Sequence, residues 1–352
     1  MTVSRRLFLA QAAALAGTGS APAAVLRSSV FEDAALRTSA AARGIVYGCA
    51  TSTFQLRDTD FAGVLVREAA IIVPEYEMKR GVIEPAQGRY DFSGADALLA
   101  FARSHGLRFR GHPLVWHKRN PDWLEDAVLG AKDDTLLVAY VEALASRYRG
   151  QVHSWDVVNE AIAPGEPGDL RQTVWLKRFG PAYIDLAFHA ARAADPKALL
   201  VYNDWGCELG APDNDRFRAA TLAFLEAGLA RRVPIDALGL QGHLGLAGPQ
   251  VDQGKLRDFL GRVQAMGLRI LVTEHDVDDS GGSPDVVTRD QAVADASRRF
   301  LDVVLDNRAT MTVLTWGLSD RYLDRPDWRR LPLDSNLKRK PMWRAMSAAF
   351  AA

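Results

Sequence analysis

Short apolar runs alternate with longer amphipathic runs along most of this 352-residue chain. The short runs are rich in Val, Ile or Leu, which is typical of parallel strands buried on both faces. The longer runs repeat apolar residues at helical spacing. The predicted strands are Ile45–Gly48, Ala70–Val73, Arg108–Gly111, Ser154–Val158, Leu199–Tyr202, Ala237–Leu240, Arg269–Thr273 and Thr312–Thr315. The predicted helices include Asp134–Tyr148, Tyr183–Ala194, Asp213–Ala230, Lys255–Met266 and Arg289–Asn307.

This strand–helix alternation predicts an α/β fold with a parallel sheet. Eight such units favour closure into a single (β/α)8 TIM barrel, although periodicity alone also allows an open doubly wound sheet. A chain of this length could hold about two domains at roughly 150 residues each. No Pro-, Gly- or Ser-rich linker divides residues 24–352, so we expect them to form one barrel.

The charge balance limits the class of partner. Lys plus Arg total 43 and Asp plus Glu total 43, so the formal net charge is zero. Nucleic-acid binders carry a basic excess, and this chain has none, so we expect no nucleic-acid partner. A mean hydropathy of −0.09 argues against a protein with many membrane spans.

Residues 1–23 have the pattern of an export signal. Arg5 and Arg6 precede a short apolar stretch, and Ala21-Pro22-Ala23 provides a small-residue cleavage site. The paired arginines are similar to the bacterial twin-arginine type. We therefore expect a periplasmic or secreted product spanning residues 24–352, with no membrane attachment after signal removal.

Cys49 and Cys207 are the cysteines of the chain. The strand assignment places them after the first and fifth strands, on opposite sides of a barrel. Because a disulfide requires Cα atoms within ~7 Å, we expect two unpaired thiols. Neither cysteine has metal-ligand spacing.

Polar side chains collect where the predicted strands end, which is where active residues lie in such barrels. Glu160 follows the fourth strand and Glu274 the seventh, so they are expected to face each other across the barrel mouth. Two carboxyl groups across a cleft suit glycoside hydrolysis, in which one protonates the leaving oxygen and the other attacks the anomeric carbon or activates water.

Five motifs resemble those of glycoside hydrolase family 10, the (β/α)8 endo-β-1,4-xylanases. The similarity extends from about Gly44 to about Phe350, with the motifs in the family's order and spacing. The motifs are Gly111–His117, Trp155–Ala161, Gln241–Leu244, Val272–Val277 and Thr315–Gly317.

The resemblance implies a role for each matched residue. Glu160 is expected to be the general acid and then the base, and Glu274 the nucleophile of a reaction that retains anomeric configuration. His243 and Asp276 are expected to form a hydrogen-bonded pair that orients Glu274, with Asp276 fixing the imidazole tautomer. The implied substrate contacts are Glu75, Lys79, His112, Trp116, Asn159, Trp205, Gln241, Trp316 and Trp328. The expected partner is xylan or a xylo-oligosaccharide; no cofactor or metal is implied, and we expect a monomer.

Four positions depart from the family pattern. Tyr76 replaces an Asn that helps to bind the second glycone sugar, and Arg80 replaces a Trp. Trp205 stands where Tyr is typical on the aglycone side, and His275 replaces an aliphatic residue beside Glu274. We therefore expect an altered preference for the second glycone unit.

Three alternatives remain open at this point. The protein could be a related β-glycosidase acting on β-glucan or an aryl xyloside, or a non-catalytic carbohydrate-binding barrel. It could also be a metal-dependent barrel hydrolase whose ligands come from His112, His117, His243, Glu274 and Asp276. Such barrels often have an H-x-H pair on the first strand, and Ile45–Gly48 offers none.

Overall fold

The computed structural model describes residues 34–352 and contains nine strands and twelve α-helices within that range. The predicted export signal, residues 1–23, lies outside the described residues. The strands are β1 Val46–Thr51, β2 Ile71–Pro74, β3 Arg108–Phe109, β4 Ser154–Asn159, β5 Leu199–Asp204, β6 Ala237–Leu240, β7 His243–Gly245, β8 Arg269–Asp278 and β9 Thr310–Thr315. The helices are α1 Leu36–Ala42, α2 Thr59–Glu68, α3 Arg80–Ile83, α4 Ser93–Ser104, α5 Leu124–Gly130, α6 Thr135–Arg147, α7 Val174–Phe179, α8 Ala182–Ala194, α9 Pro212–Ala230, α10 Gln253–Ala265, α11 Val286–Asp306 and α12 Pro341–Ala351.

Eight parallel strands form a barrel, which confirms the predicted fold class. Their order is β3-β2-β1-β9-β8-β6-β5-β4. The segment after β3 closes the ring through bridges of Gly111 to Trp155 and of Val115 to Val158. Short β7 pairs only with the outer part of β8, so that His243 lies opposite Asp276.

Several strands extend further toward their carboxyl ends than predicted. β5 continues to Asp204, and β8 continues through Glu274 to Asp278. In the sequence, polar residues after an apolar run indicate the end of a strand. In β5 and β8 these polar residues are buried, and their backbones remain in the parallel ladder. Cys49 likewise lies within β1 and not after it; Cys49 and Cys207 are both buried and unpaired.

Buried apolar side chains form one large cluster and two small ones among residues 34–352. The larger core lies between the sheet and its surrounding helices, and small groups such as Val201, Ala237 and Leu271 form separate clusters. Polar residues such as Thr273 and Thr315 are also fully buried on the strands. None of the helices within residues 34–352 combines the length and the apolar character needed to cross a membrane.

Close backbone packing between β1 and β2 requires glycine at position 48. An added Cβ on Gly48 would lie 1.8 Å from the carbonyl oxygen of Ile71, far inside van der Waals contact. Because that oxygen belongs to the backbone of the neighbouring strand, the clash cannot be relieved by a side-chain rotation.

Gly48→Ala is therefore expected to lower the free energy of unfolding by about 3 kcal/mol or more. Gly63 on α2 provides the matched control, since its added Cβ would meet no atom within 4 Å. Gly63→Ala should raise the free energy of unfolding by up to about 1 kcal/mol. Urea denaturation measures both, and equal stabilities for the two variants would contradict the packing argument.

Candidate active site

A cavity of about 680 Å³ opens at the carboxyl ends of the strands. All of the predicted site residues line it except Asp276 and Trp328. The predicted residues that line it are Glu75, Lys79, His112, Trp116, Asn159, Glu160, Trp205, Gln241, His243, Glu274 and Trp316.

Glu160 directly follows β4 and has an uncommon backbone conformation. Its φ of +58° lies in the left-handed region, which non-glycine residues adopt mainly where surrounding structure enforces it. The Glu160 amide donates to Asn203 O at 2.9 Å, and Arg171 Nε donates to Glu160 O at 2.8 Å. These two bonds hold the backbone so that the carboxyl group faces the cavity.

The Glu160 carboxyl group is buried, with 5% of the residue exposed. Gln241 Nε2 donates to its Oε1 at 3.1 Å, and Lys118 Nζ lies 3.4 Å from its Oε2. His117 Nε2 is 3.8 Å from the same oxygen. Glu160 therefore has one oxygen held by an amide and the other directed toward cationic and imidazole groups.

Glu274 on β8 is equally buried but is surrounded by positive groups. Burial alone would raise the pKa of Glu274, but His112, His243 and Lys79 together lower it to about 2. Asn203 Nδ2 also donates to Glu274 Oε1 at 2.8 Å. Glu274 is therefore an ionised carboxylate at neutral pH, as a nucleophile must be.

His243 bridges two carboxylates. Its Nδ1 is 2.7 Å from Asp276 Oδ1, and its Nε2 is 3.3 Å from Glu274 Oε2. An ionised carboxylate can only accept, so both ring nitrogens must carry protons. Burial alone would lower the pKa of His243, but Asp276 and Glu274 raise it well above its ordinary value. The structure thus brings His243 and Asp276 together as predicted, and the two carboxylates favour the imidazolium form of His243.

A buried ion pair inside the barrel holds a second imidazole. Arg110 and Asp156 form a bidentate pair, and both side chains are almost completely buried. Asp156 Oδ2 is also 2.8 Å from His112 Nδ1, and His112 Nε2 is 3.2 Å from Lys79 Nζ. The pair thus positions His112 and Lys79 on the side of the cavity that faces Glu274.

Aromatic rings form the walls around these charges. Lys79 Nζ lies 4.6 Å from the ring centre of Trp116 and 5.4 Å from that of Trp316. Trp205 is 41% exposed and packs against Phe217. Indoles give apolar contact surface to the CH faces of sugar rings without requiring a charge.

Trp328 is the predicted contact that the structure does not bring into the site. Its ring packs over the guanidinium of Arg330, with Cζ 3.8 Å from the ring centre. The loop after β9 contributes other residues to the cavity, namely Tyr322 and Asp324. Trp328 therefore lies outside the cavity lining, and its predicted contact with substrate stays a prediction.

Asn203 is the main site residue that sequence reasoning missed. Its Nδ2 donates to Asn159 Oδ1 and to Glu274 Oε1, both at 2.8 Å. Asn159 Nδ2 in turn lies 3.4 Å from Glu160 Oε1. Two amides therefore connect the carboxyl groups. Asn203 directly follows the predicted fifth strand, so the rule that active residues lie at the carboxyl ends of strands could have identified it.

The ligand set for a metal-dependent alternative is lacking in the described part of the chain. Among residues 34–352, no group of three or more His, Cys, Asp or Glu side chains is arranged to hold a metal ion.

Comparison with known proteins agrees with the site. The model of Glycosyl hydrolase family 10 matches residues 35–349. The chain belongs to glycosyl hydrolase family 10. It is 32% identical to endo-1,4-beta-xylanase B of Thermotoga neapolitana over 327 residues, covering 90% of this chain and 91% of that protein.

Solved structures of family 10 proteins have the same fold. Native xylanase 10B from Thermotoga maritima superposes with a TM-score of 0.79 at 31% identity, covering 90% of this chain and 98% of that one. Xylanase 10B from Thermotoga petrophila RKU-1 in complex with xylobiose also gives a TM-score of 0.79 at 31% identity, with 90% and 97% covered.

Two of the four departures from the family 10 pattern lie outside the cavity lining. Arg80 stacks 4.0 Å from the Tyr140 ring centre and pairs with Glu84. His275 is fully buried against α11, with Nε2 2.8 Å from Ser297 Oγ. Tyr76 and Trp205 do line the cavity, so these are the two departures in a position to contact a bound ligand.

Replacing His243 tests the charge argument. His243→Gln keeps an N–H donor but removes the positive charge beside Glu274, so the pKa of Glu274 should rise toward its ordinary value of about 4.3. Because Glu274 must be ionised to act, the acidic limb of kcat/KM should move to higher pH, by about one unit or more. His189→Gln on the exposed face of α8 is the control, and an unshifted limb in His243→Gln would contradict the argument.

Proposed function

We propose that this family 10 member is a retaining endo-1,4-β-xylanase. The observation that carries the proposal is the pair of buried carboxyl groups, Glu160 directly after β4 and Glu274 on β8, at one aromatic-lined cavity. Their surroundings differ: His112, His243 and Lys79 keep Glu274 ionised, whereas Glu160 contacts the Gln241 amide at one oxygen and the exposed Lys118 at the other.

In the first step, a Glu274 oxygen attacks the anomeric carbon while the bond from that carbon to the leaving oxygen breaks. Glu160 transfers its proton to the leaving oxygen, so the departing sugar leaves as an alcohol. The product on the enzyme is a glycosyl ester of Glu274. Asn203 and His243, which donate to the two Glu274 oxygens, keep that side chain oriented for attack.

In the second step, Glu160 acts as a base. It removes a proton from water, and the water oxygen attacks the anomeric carbon from the side that the leaving group vacated. The ester bond breaks and Glu274 leaves as a carboxylate, which the His243 imidazolium stabilises. Two inversions give net retention of anomeric configuration.

Aromatic surfaces on both sides of the mouth support action within a chain. Trp205 follows β5, whereas Phe54 and Tyr76 follow β1 and β2 on the opposite side of the ring. These three rings are 41%, 54% and 53% exposed. Sugar units can therefore stack on either side of the carboxyl pair, as cleavage of an internal bond requires.

Product analysis with a matched blank tests the proposal. The substrates are arabinoxylan, xylotriose, xylobiose and cellohexaose, and Glu274→Ala, which lacks the nucleophile, is the blank. We expect internal cleavage of arabinoxylan, with retained configuration at the anomeric carbon of the product, which proton NMR measures. Preferential cleavage of cellohexaose would favour the β-glucan alternative, and sugar binding without hydrolysis would favour a binding barrel. Activity that is lost with a strong chelator would favour the metal-dependent alternative.

The Glu160→Gln variant distinguishes loss of the general acid from a general loss of activity. On xylan, kcat/KM should fall about 10²- to 10⁴-fold, because the leaving sugar must be protonated. The first step on a dinitrophenyl xyloside should fall much less, since dinitrophenolate departs without a proton. A burst of dinitrophenol measures that step, and equal losses on both substrates would contradict the assignment.

We also propose that residues 1–23 direct export of the folded protein and that the mature enzyme is monomeric and periplasmic or secreted. The support is the sequence pattern of Arg5, Arg6 and the small residues Ala21–Ala23. Replacing both arginines by lysine should retain the precursor in the cytoplasm, as measured by cell fractionation. Mature protein beginning at Ala24 is expected from the unaltered chain, and light scattering tests for a monomer.

A further inference from the structure

Two exposed cations stand on one wall of the cavity. Lys118 and Arg119, here called the cationic wall, follow His117 in the loop after β3, and both line the cavity. The Lys118 side chain is 57% exposed, and its Nζ lies 5.5 Å from the ring centre of Trp116. A neutral polysaccharide gives no reason for two adjacent cations beside the indole on which its sugars would stack.

The backbone holds Arg119 firmly in place. Its φ is +54°, in the left-handed region that non-glycine residues rarely adopt. The Arg119 carbonyl accepts from Gly81 N at 2.9 Å, and an added Cβ on Gly81 would lie 3.0 Å from that oxygen. The loops after β2 and β3 are therefore locked together, and Arg119 is fixed at the mouth of the site.

Acidic partners for the cationic wall are few. Lys118 lies 3.4 Å from the buried Glu160, whereas Arg119 forms no ion pair with any residue within 34–352. Asp324 is an exposed carboxylate of the cavity lining, but it follows β9, three strands away around the ring. The guanidinium of Arg119 is thus available to an anion from solution.

Space for such an anion lies next to Arg119. A second cavity, of about 540 Å³, shares Arg119 with the first, and its lining adds Arg171 and Lys177 against Asp122 and Glu125. Because the two cavities meet at Arg119, a branch on a sugar chain in the first cavity can extend past this residue into the second. The lining of this second cavity therefore has three positive side chains and two carboxylates.

We propose that the cationic wall selects xylan chains that carry a carboxylate branch, that is, a hexuronic acid. The inference rests on the proposed xylanase function and names its substrate class more closely. A planar guanidinium donates two parallel hydrogen bonds to a carboxylate, and an ammonium adds a point charge beside it. Arg119 is the specificity residue of this assignment, because its guanidinium forms no hydrogen bond with Glu160 or Glu274, whereas Lys118 also lies 3.4 Å from Glu160.

The test compares substrates that differ only in charge. Hydrolysis is measured for xylotetraose with one uronic acid branch, for the same compound after its carboxyl group is reduced to an alcohol, and for unbranched xylotetraose. The ratio of kcat/KM for the uronic acid compound to kcat/KM for the reduced compound should exceed about 5 at low salt. This ratio should fall toward one in about 0.5 M salt, because salt screens exposed charges. Arg119→Gln should lower this ratio about threefold, the effect of one exposed ion pair, and Arg119→Lys should restore part of it.

Lys197→Gln is the matched control, because it removes the same charge from an exposed residue just before β5, at the opposite end of the barrel. A ratio near one in the unaltered enzyme, or the same ratio in Arg119→Gln and Lys197→Gln, overturns the proposal. Calorimetric binding of both branched compounds to Glu274→Ala gives the same comparison without turnover. If none of the three substrates is hydrolysed, the xylanase function itself fails and this inference falls with it.

Discussion

The amide of Asn203 is the contact on which the rest of the site depends. Two carboxyl groups must lie close to one sugar ring and still play different roles, one as proton donor and the other as nucleophile. Asn203 donates to Glu274 and to Asn159, which reaches Glu160. Its backbone oxygen also accepts from the Glu160 amide. One residue of β5 thus positions both reacting groups relative to each other.

Charge then makes the two carboxyl groups unequal. Lys79 and His243 face Glu274, and each is anchored by groups outside the cavity lining: Asp276 holds His243, and the Arg110–Asp156 pair holds His112, which contacts Lys79. The buried ion pair has its carboxylate satisfied by both Arg110 and His112, so its desolvation is compensated by several hydrogen bonds. The barrel interior therefore serves the chemistry as well as the packing.

Strand periodicity was sufficient to predict the barrel, and polar residues after the predicted strands placed Glu160 and Glu274 at one mouth, because both are local signals. Most of the other lining residues were predicted only from the resemblance to family 10 motifs. It did not reveal that Glu274 lies inside β8, since a buried polar residue looks like the end of a strand. Arg80 and His275 looked like substrate-site changes, yet their side chains pack in the protein interior. Which way a side chain points, like the course of the loop that holds Trp328, depends on tertiary contacts that spacing does not encode.

The left-handed backbone at Glu160 has a consequence for how this enzyme can evolve. Holding a non-glycine residue at that φ costs of order 1–3 kcal/mol, which the rest of the fold must offset. Substitution by glycine would relieve the cost and remove the proton donor in the same change. Selection for heat resistance and selection for catalysis therefore oppose each other at this residue, so gains in robustness must accumulate elsewhere in the barrel.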